Sequence, residues 1–512
     1  MLTRLKWFLC AAGLFAGLLL LRPAIKSSYA ADKKDPPKIV EGAASGDSEW
    51  QVPRERWKLP FKDEQPIYFV NRSQSAAEWD KLAHFWNETT EKAVDPKTGE
   101  AVTRKAVKIK VPLGLTANPP VPVENPMTVA KWKLGKHLYF SPSLSSDGTV
   151  SCASCHDPKL GFTDRSPVST GIRGNKGGMS APTVYNSAYN ALQFWDGRAA
   201  SLEDQAQGPV MNPLEMFDGD GHAWNHAVSR IRRDEKLVQQ FHEVFGTDPT
   251  RDGIAKAIAA YERTVLSGNS IHDRADVAMR ARVEDEGSGK YDFKAKDYET
   301  VLLAAFDAKD KTALDALGLD VDKDRAKAAA TAKSIHNGRA LFFGKARCNG
   351  CHIGDNFTDN QFHNLGVGVK DGHLPPSAWG RFAALPTGHK NAESIGAFKT
   401  PTLRHLLGTA PYMHDGNEKT LEEVVDFYDR GGNANEFLDT KMRDMDAERA
   451  YLLSKHNRTP YKGAEVKVFG KDEKPIAPLK LNLTPQEKHD LTLFLRALQG
   501  DPADPLVMLR KE

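Results

Sequence analysis

The sequence predicts a mainly α-helical protein with long loops. It is built from two tandem copies of one domain, with an N-terminal extension and a helical insertion. The first observation is a recurring motif. Cys152-Ala153-Ser154-Cys155-His156 is followed by Gly161-Phe162-Thr163-Asp164, and Cys348-Asn349-Gly350-Cys351-His352 by Asn356-Phe357-Thr358-Asp359. C-x-x-C-H attaches a c-type haem: the thiols add to its vinyl groups and the adjacent imidazole reaches the iron. A zinc or thiol-redox reading leaves unexplained why a histidine follows both pairs. The second observation is that the repeat extends beyond the motif. Gly135-Lys136-His137-Leu138-Tyr139-Phe140 matches Gly338-Arg339-Ala340-Leu341-Phe342-Phe343, and Ala181-Pro182-Thr183 matches Thr400-Pro401-Thr402. Thirteen residues after each proline stand Trp195-Asp196-Gly197 and His414-Asp415-Gly416; six further on stand Ser201-Leu202-Glu203 and Thr420-Leu421-Glu422. Registers that agree without gaps indicate two cytochrome c-type haem domains.

Taken in order, residues 1–31 read as an export signal. Arg4 and Lys6 are its basic end, 7–21 its apolar run, and Ser28-Tyr29-Ala30 a small-x-small cleavage site. The run is short for a membrane span, and an uncleaved anchor is the alternative. Residues 32–125 form an extension rich in Pro, Lys and Glu. Within it, 75–91 reads as a helix carrying Trp79, Leu82 and Trp86. The first haem domain covers 126–275. A run at 276–332, rich in Ala, Lys and Asp, reads as a solvated helical insertion. The second haem domain covers 333–500, and 501–512 is a tail. Near the end of that domain Thr484-Pro485-Gln486-Glu487 is a capping box with Pro at the first helical position. It opens a helix with Leu491, Phe494, Leu495 and Leu498 on one face.

Composition narrows the function. The 512 residues carry a net charge of +3, with no basic stripe, so a nucleic-acid role has no support. Four of the five cysteines lie in the two motifs and the fifth, Cys10, in the apolar run, leaving none for a structural disulfide. Exported c-type haem proteins fit that usage.

The side of each iron away from His156 and His352 decides the chemistry, because an open site permits peroxide to bind. Thr420-Leu421-Glu422-Glu423 is a capping box that opens a helix ending near Gly431-Gly432. On it Leu421, Val424, Val425 and Tyr428 share one face, so Tyr428 points inward, either as a core residue or as an iron ligand. In the repeat register Ser201 matches Thr420, which sets Pro209 against Tyr428. One haem then faces a proline, which cannot ligate iron, and the other a phenol. Gln205 and Glu215 flank that proline. A carboxylate there can take a proton from peroxide and return it, although an ordinary solvated or capping role is the simpler reading from sequence.

Through the stretches LGKHLYFSPSLSSDGTVSCASCHDP, QFWDGRAASLEDQAQGPVMNPLEM, ARCNGCHIGDNFTDNQFHNLGV and TPTLRHLLGTAPYMHDGNEKTLEEVVDFY the chain resembles the bacterial di-haem cytochrome c peroxidases, a family that includes the MauG enzymes. The resemblance spans about 126–275 and 333–500. It implies a peroxidatic haem on Cys152 and Cys155, and an electron-transfer haem on Cys348 and Cys351. It implies catalytic roles for Glu215 and Gln205, and a relay role for Trp195 between the haems. The family's calcium would fall on the Thr409 and Pro411 carbonyls and on Ser180, where the family has Asn. Hydrogen peroxide is the implied substrate. A small redox protein (cytochrome c or cupredoxin) or a protein substrate is the implied partner, the periplasm the location, and a homodimer the analogous assembly.

Two departures are informative. Where many of these peroxidases carry a distal His on a loop that must move, this chain has Ile172, so its first haem is expected to be open without reductive activation. Where they place a Met over the second haem, this chain has Tyr428, the MauG pattern. A phenolate is a hard anionic donor that favours ferric iron. Three alternatives stay open: an ordinary peroxidase with Met413, Met442 or Met445 as ligand, an oxidase that modifies a partner protein, and a non-catalytic electron carrier.

Overall fold

A computed structural model describes residues 57–509 except 218 and 220. The export-signal segment 1–31 lies outside these residues. Among the described residues no helix is long and apolar enough to cross a membrane.

The extension differs from its expected form. Strand β1 (Ile67–Val70) leads to a one-turn helix α1 (Ala76–Trp79), then to strands β2 (Trp86–Val94) and β3 (Ala101–Lys110). β3 is central, parallel to β1 and antiparallel to β2. The expected helix over 75–91 is therefore only its first turn. Thr89, Thr90 and Val94 are β-branched, and the tight turn where the Gly99 amide donates to the Asp95 carbonyl lets β3 pair along all of β2. Ile67, Val107 and Ile109 enter the apolar core of the first half.

That half is helical: α2 (Val129–Phe140), α3 (Cys152–Cys155), α4 (Leu202–Gln205), α5 (Gly208–Met211), α6 (Ala223–Ile231), α7 (Glu235–Phe245) and α8 (Arg251–Glu262). The insertion supplies α9 (Ile271–Glu286), α10 (Ala295–Asp307) and α11 (Lys311–Ala316). It is helical but not a solvated appendage. Tyr298, Leu302, Phe306 and Leu314 are buried in the second core. The expected edges at 275/276 and 332/333 fall inside α9 and inside α12 (Ala328–Phe342). The second half continues with α13 (Arg381–Ala384), α14 (Leu421–Asp429), α15 (Met445–His456) and α16 (Pro485–Arg496). Two short two-stranded antiparallel sheets complete it: β4 (Phe362–His363) with β5 (Phe398–Lys399), and β6 (Lys467–Phe469) with β7 (Lys474–Ile476). The capping box at Thr484 forms, and Leu491, Phe494, Leu495 and Leu498 are buried.

Residues 501–509 are not a loose tail. A short helix α17 (Pro505–Met508) buries Val507 in the first core, and Val507 accepts a 2.8 Å hydrogen bond from the Tyr261 hydroxyl.

The repeat has a physical basis. α2 crosses α8 at Gly135, where a Cβ would lie 1.8 Å from the Ala257 carbonyl oxygen; α12 crosses α16 at Gly338, where a Cβ would lie 1.9 Å from the Asp490 carbonyl oxygen. Only glycine allows either crossing, so the helix before each CxxCH docks by the same notch.

Candidate haem sites

Both motif histidines are held alike. The backbone turns to positive φ at Phe162 and Phe357, and the carbonyls of these residues face the Nδ1 atoms of His156 (3.3 Å) and His352 (2.8 Å). A proton on Nδ1 bonded to a carbonyl leaves the Nε2 lone pair for a metal. Burial lowers both pKa values, that of His352 to about 4, so the rings are neutral, as an iron ligand must be. The Tyr139 hydroxyl donates to the His156 carbonyl at 2.7 Å and fixes the end of the first motif.

Around the second motif lies a cavity of about 240 Å³. Cys348, Cys351 and His352 line it together with Leu421, Val424, Val425 and Tyr428 from α14. α14 begins as expected, with the Thr420 hydroxyl accepting the Glu423 amide; the Glu423 carboxylate takes the Lys419 amide rather than that of Thr420. The Tyr428 hydroxyl makes no hydrogen bond among the described residues, and burial raises its pKa. Two thiols, a neutral imidazole and an apolar wall with one phenol suit a covalent haem. Met413 and Met442 also line the cavity, while Met445 is 51% exposed at the start of α15.

The residues expected to face the first motif are arranged differently. Ile172 is fully buried, and its amide donates to the Glu215 carbonyl at 3.0 Å. Gly171 makes this approach possible, since a Cβ there would lie 2.1 Å from the Leu214 carbonyl oxygen. Glu215 is half-buried. Burial raises its pKa, against the opposing effects of Arg198 and of a 2.5 Å hydrogen bond from the Asn212 side chain. Gln205 ends α4 and Pro209 lies in α5, both half-buried.

Trp195 sits at the junction of the halves. Its carbonyl accepts the Lys399 amide at 2.7 Å and its indole N–H donates to the Ser180 carbonyl at 2.9 Å. Its ring lies 6.5 Å from that of His414. Ser180, Thr409 and Pro411 line the same cavity wall, and among the described residues neither of the latter two carbonyls accepts a hydrogen bond. They fit a calcium ion only partly: three neutral oxygens leave most of a shell of about six to eight to water.

The sequence reading did not single out His363 beside the second motif. Its Nδ1 lies 2.7 Å from Asp439 and its Nε2 2.9 Å from Asp359. Burial opposes its charge, but hydrogen bonds to Asp439, Cys351 and Asp359 push its pKa up to about 10. The four-residue spacing from Asp359 was a visible signal; the Asp439 contact, made across 76 residues, was not.

Known proteins resemble the chain over most of its length. The di-haem cytochrome c peroxidase family model matches residues 129–280. Cytochrome-c peroxidase IdrP1 of Denitromonas iodatirespirans is 33% identical over 63% of this chain and 78% of that protein. The methylamine utilization protein MauG of Methylorubrum extorquens is 31% identical over 79% of this chain and 88% of its own length. A MauG-like protein associated with microbial copper homeostasis superposes with a TM-score of 0.53 at 26% identity, covering 77% of this chain and 96% of that one. The two CxxCH motifs, each with a neutral histidine held by a backbone carbonyl, and relatives matched over most of their length lead to one conclusion: this chain belongs to the di-haem cytochrome c peroxidase and MauG family, oxidoreductases that carry two c-type haems.

Proposed function

We propose that the protein is an exported, periplasmic peroxidase of the MauG-like kind, with two tandem haem domains of unequal roles. Hydrogen peroxide is reduced at the site of Cys152, Cys155 and His156. The observation that carries this reading is the pairing of Glu215 with Ile172 across one backbone hydrogen bond, which puts a carboxyl of raised pKa beside a position without an imidazole. The haem, when bound, supplies the iron that takes up peroxide and exchanges electrons with it. Glu215 would accept one proton of the bound peroxide and return it to the departing oxygen. Its raised pKa suits it to both acts. Gln205 orients the peroxide. Trp195, clasped by both halves, passes electrons between them. Tyr428 offers its phenol to the second haem, and its alignment along α14 with Leu421 and Val425 supports that role.

Electrons come from a small redox protein, cytochrome c or cupredoxin. Tyr428 in place of methionine also favours a second reading, oxidation of a protein substrate. A calcium ion at Ser180, Thr409 and Pro411 and a homodimer are compatible with both. Glu215→Gln is expected to reduce peroxide turnover by about 10²–10⁴-fold with both haems still attached. Unchanged turnover overturns the assignment. A ferric spectrum with no high-spin component, and no cyanide binding, establishes a plain electron carrier instead.

A further inference from the structure

Four aromatic rings lead away from the first motif on its histidine side, separate from Trp195. Tyr139, bonded to the His156 carbonyl, lies 4.8 Å from Tyr261 by ring centroids. Tyr261 lies 6.2 Å from Trp132, and Trp132 lies 4.9 Å from Trp86. The first three rings are buried; Trp86, the first residue of β2, is half-exposed. The series thus runs from the haem site to solvent and ends on the hairpin of the N-terminal extension.

We propose that these rings relay oxidising equivalents from the first haem site to Trp86, making the hairpin a second entry point for electrons. This rests on the peroxidase reading above. The hydrogen bonds set the direction. The Tyr139 and Tyr261 hydroxyls donate to the carbonyls of His156 and Val507, which cannot take a proton, so neither phenol can hold an oxidising equivalent by deprotonating. Trp132 keeps its N–H on the Thr264 hydroxyl at 2.8 Å, and the Lys136 ammonium 5.3 Å from its ring disfavours positive charge there. Trp86 is half-exposed, where its indole proton can pass to water. An electron leaves Trp86 and moves inward by way of Trp132, Tyr261 and Tyr139. A one-electron donor of the phenol or hydroquinone class, too bulky to enter the haem pocket, then gives a hydrogen atom to the Trp86 radical. Two passages balance one peroxide: two donor molecules each lose one hydrogen atom, and hydrogen peroxide becomes two waters.

The test treats the di-haem protein with peroxide without a donor, then maps oxidised tryptophans by peptide mass spectrometry and follows organic radicals by EPR. Trp57, 40% exposed, is the internal control, because diffusing oxidants attack by exposure. Trp86 is expected to be oxidised well above Trp57. Trp132→Phe and, independently, Tyr261→Phe are expected to bring it down to the Trp57 level with haem content unchanged; if one variant fails to fold, the other decides. A hydroquinone donor is expected to protect Trp86. Oxidation ranked by exposure, or unaltered Trp86 oxidation in a folded variant, overturns the relay. Loss of peroxide turnover with every donor in the unsubstituted protein overturns the peroxidase reading instead, so the two failures are distinguishable.

Discussion

The two halves solve the same attachment problem and then diverge. Each docks the helix before its CxxCH through a glycine notch, Gly135 on α8 and Gly338 on α16. Each holds its histidine through a phenylalanine carbonyl at positive φ. Beyond that they differ: the first half joins Ile172 to Glu215 by a backbone hydrogen bond and has Pro209 in a one-turn helix, and the second lines its cavity with Tyr428 on a longer helix. The shared features fix where an iron would sit; the residues that differ set what can reach it. A duplicated scaffold can therefore change chemistry at a few facing positions without disturbing the packing that holds the cofactor.

That contrast can be broken deliberately. The largest effect is expected from Ile172→His, which restores an imidazole to the loop next to Glu215. It should convert the high-spin EPR signal of the first haem to low-spin and abolish turnover by the fully oxidised protein; an unchanged signal would show that the loop does not face the iron. Tyr428→Met comes next. Replacing a hard anionic donor by a thioether should raise the second haem's potential by on the order of 0.1 V, within the span of about 0.8 V that axial ligands command. A near-infrared sulfur-to-iron band should appear with it; its presence already in the unsubstituted protein would assign Met413 or Met442 instead. The shared scaffold gives a third test. Gly135→Ala and Gly338→Ala each push a methyl into a backbone carbonyl, a cost of about 1–3 kcal/mol or more. Calorimetry should find both destabilising and each should loosen its own half; harmless substitutions would refute the notch. The smallest effect concerns pH. Arg198 lowers the Glu215 pKa against the effect of burial, so Arg198→Gln should move the acidic limb of the turnover profile to higher pH. A limb that stays put, or moves lower, would separate Arg198 from the site.

Much of this was legible in the sequence because it is short-range. The CxxCH spacing, the Thr484 and Thr420 caps and the i, i+4, i+7 face of Tyr428 are all set within about two helical turns. The repeat register set Pro209 against Tyr428 without any coordinates. The failures share a cause. Trp79, Leu82 and Trp86 fit a helical face, but Thr89, Thr90 and Val94 beyond them commit the segment to a strand once β3 is there to pair with it. In the insertion, composition concealed that Tyr298, Leu302 and Phe306 recur every four residues and supply one buried stripe. The His363–Asp439 clamp and the Trp86–Trp132 contact join residues far apart in the chain, and no local pattern announces such a pair.

The docking of α17 on the first half bears on the order of events as the protein is made. Val507 and Ala503 fill the core around Tyr261, and a buried valine contributes about 1.5–3 kcal/mol. The Tyr185 hydroxyl accepts the Ala503 amide at 2.9 Å. The half that emerges first from the ribosome therefore lacks its final wedge until residue 507 has been synthesised.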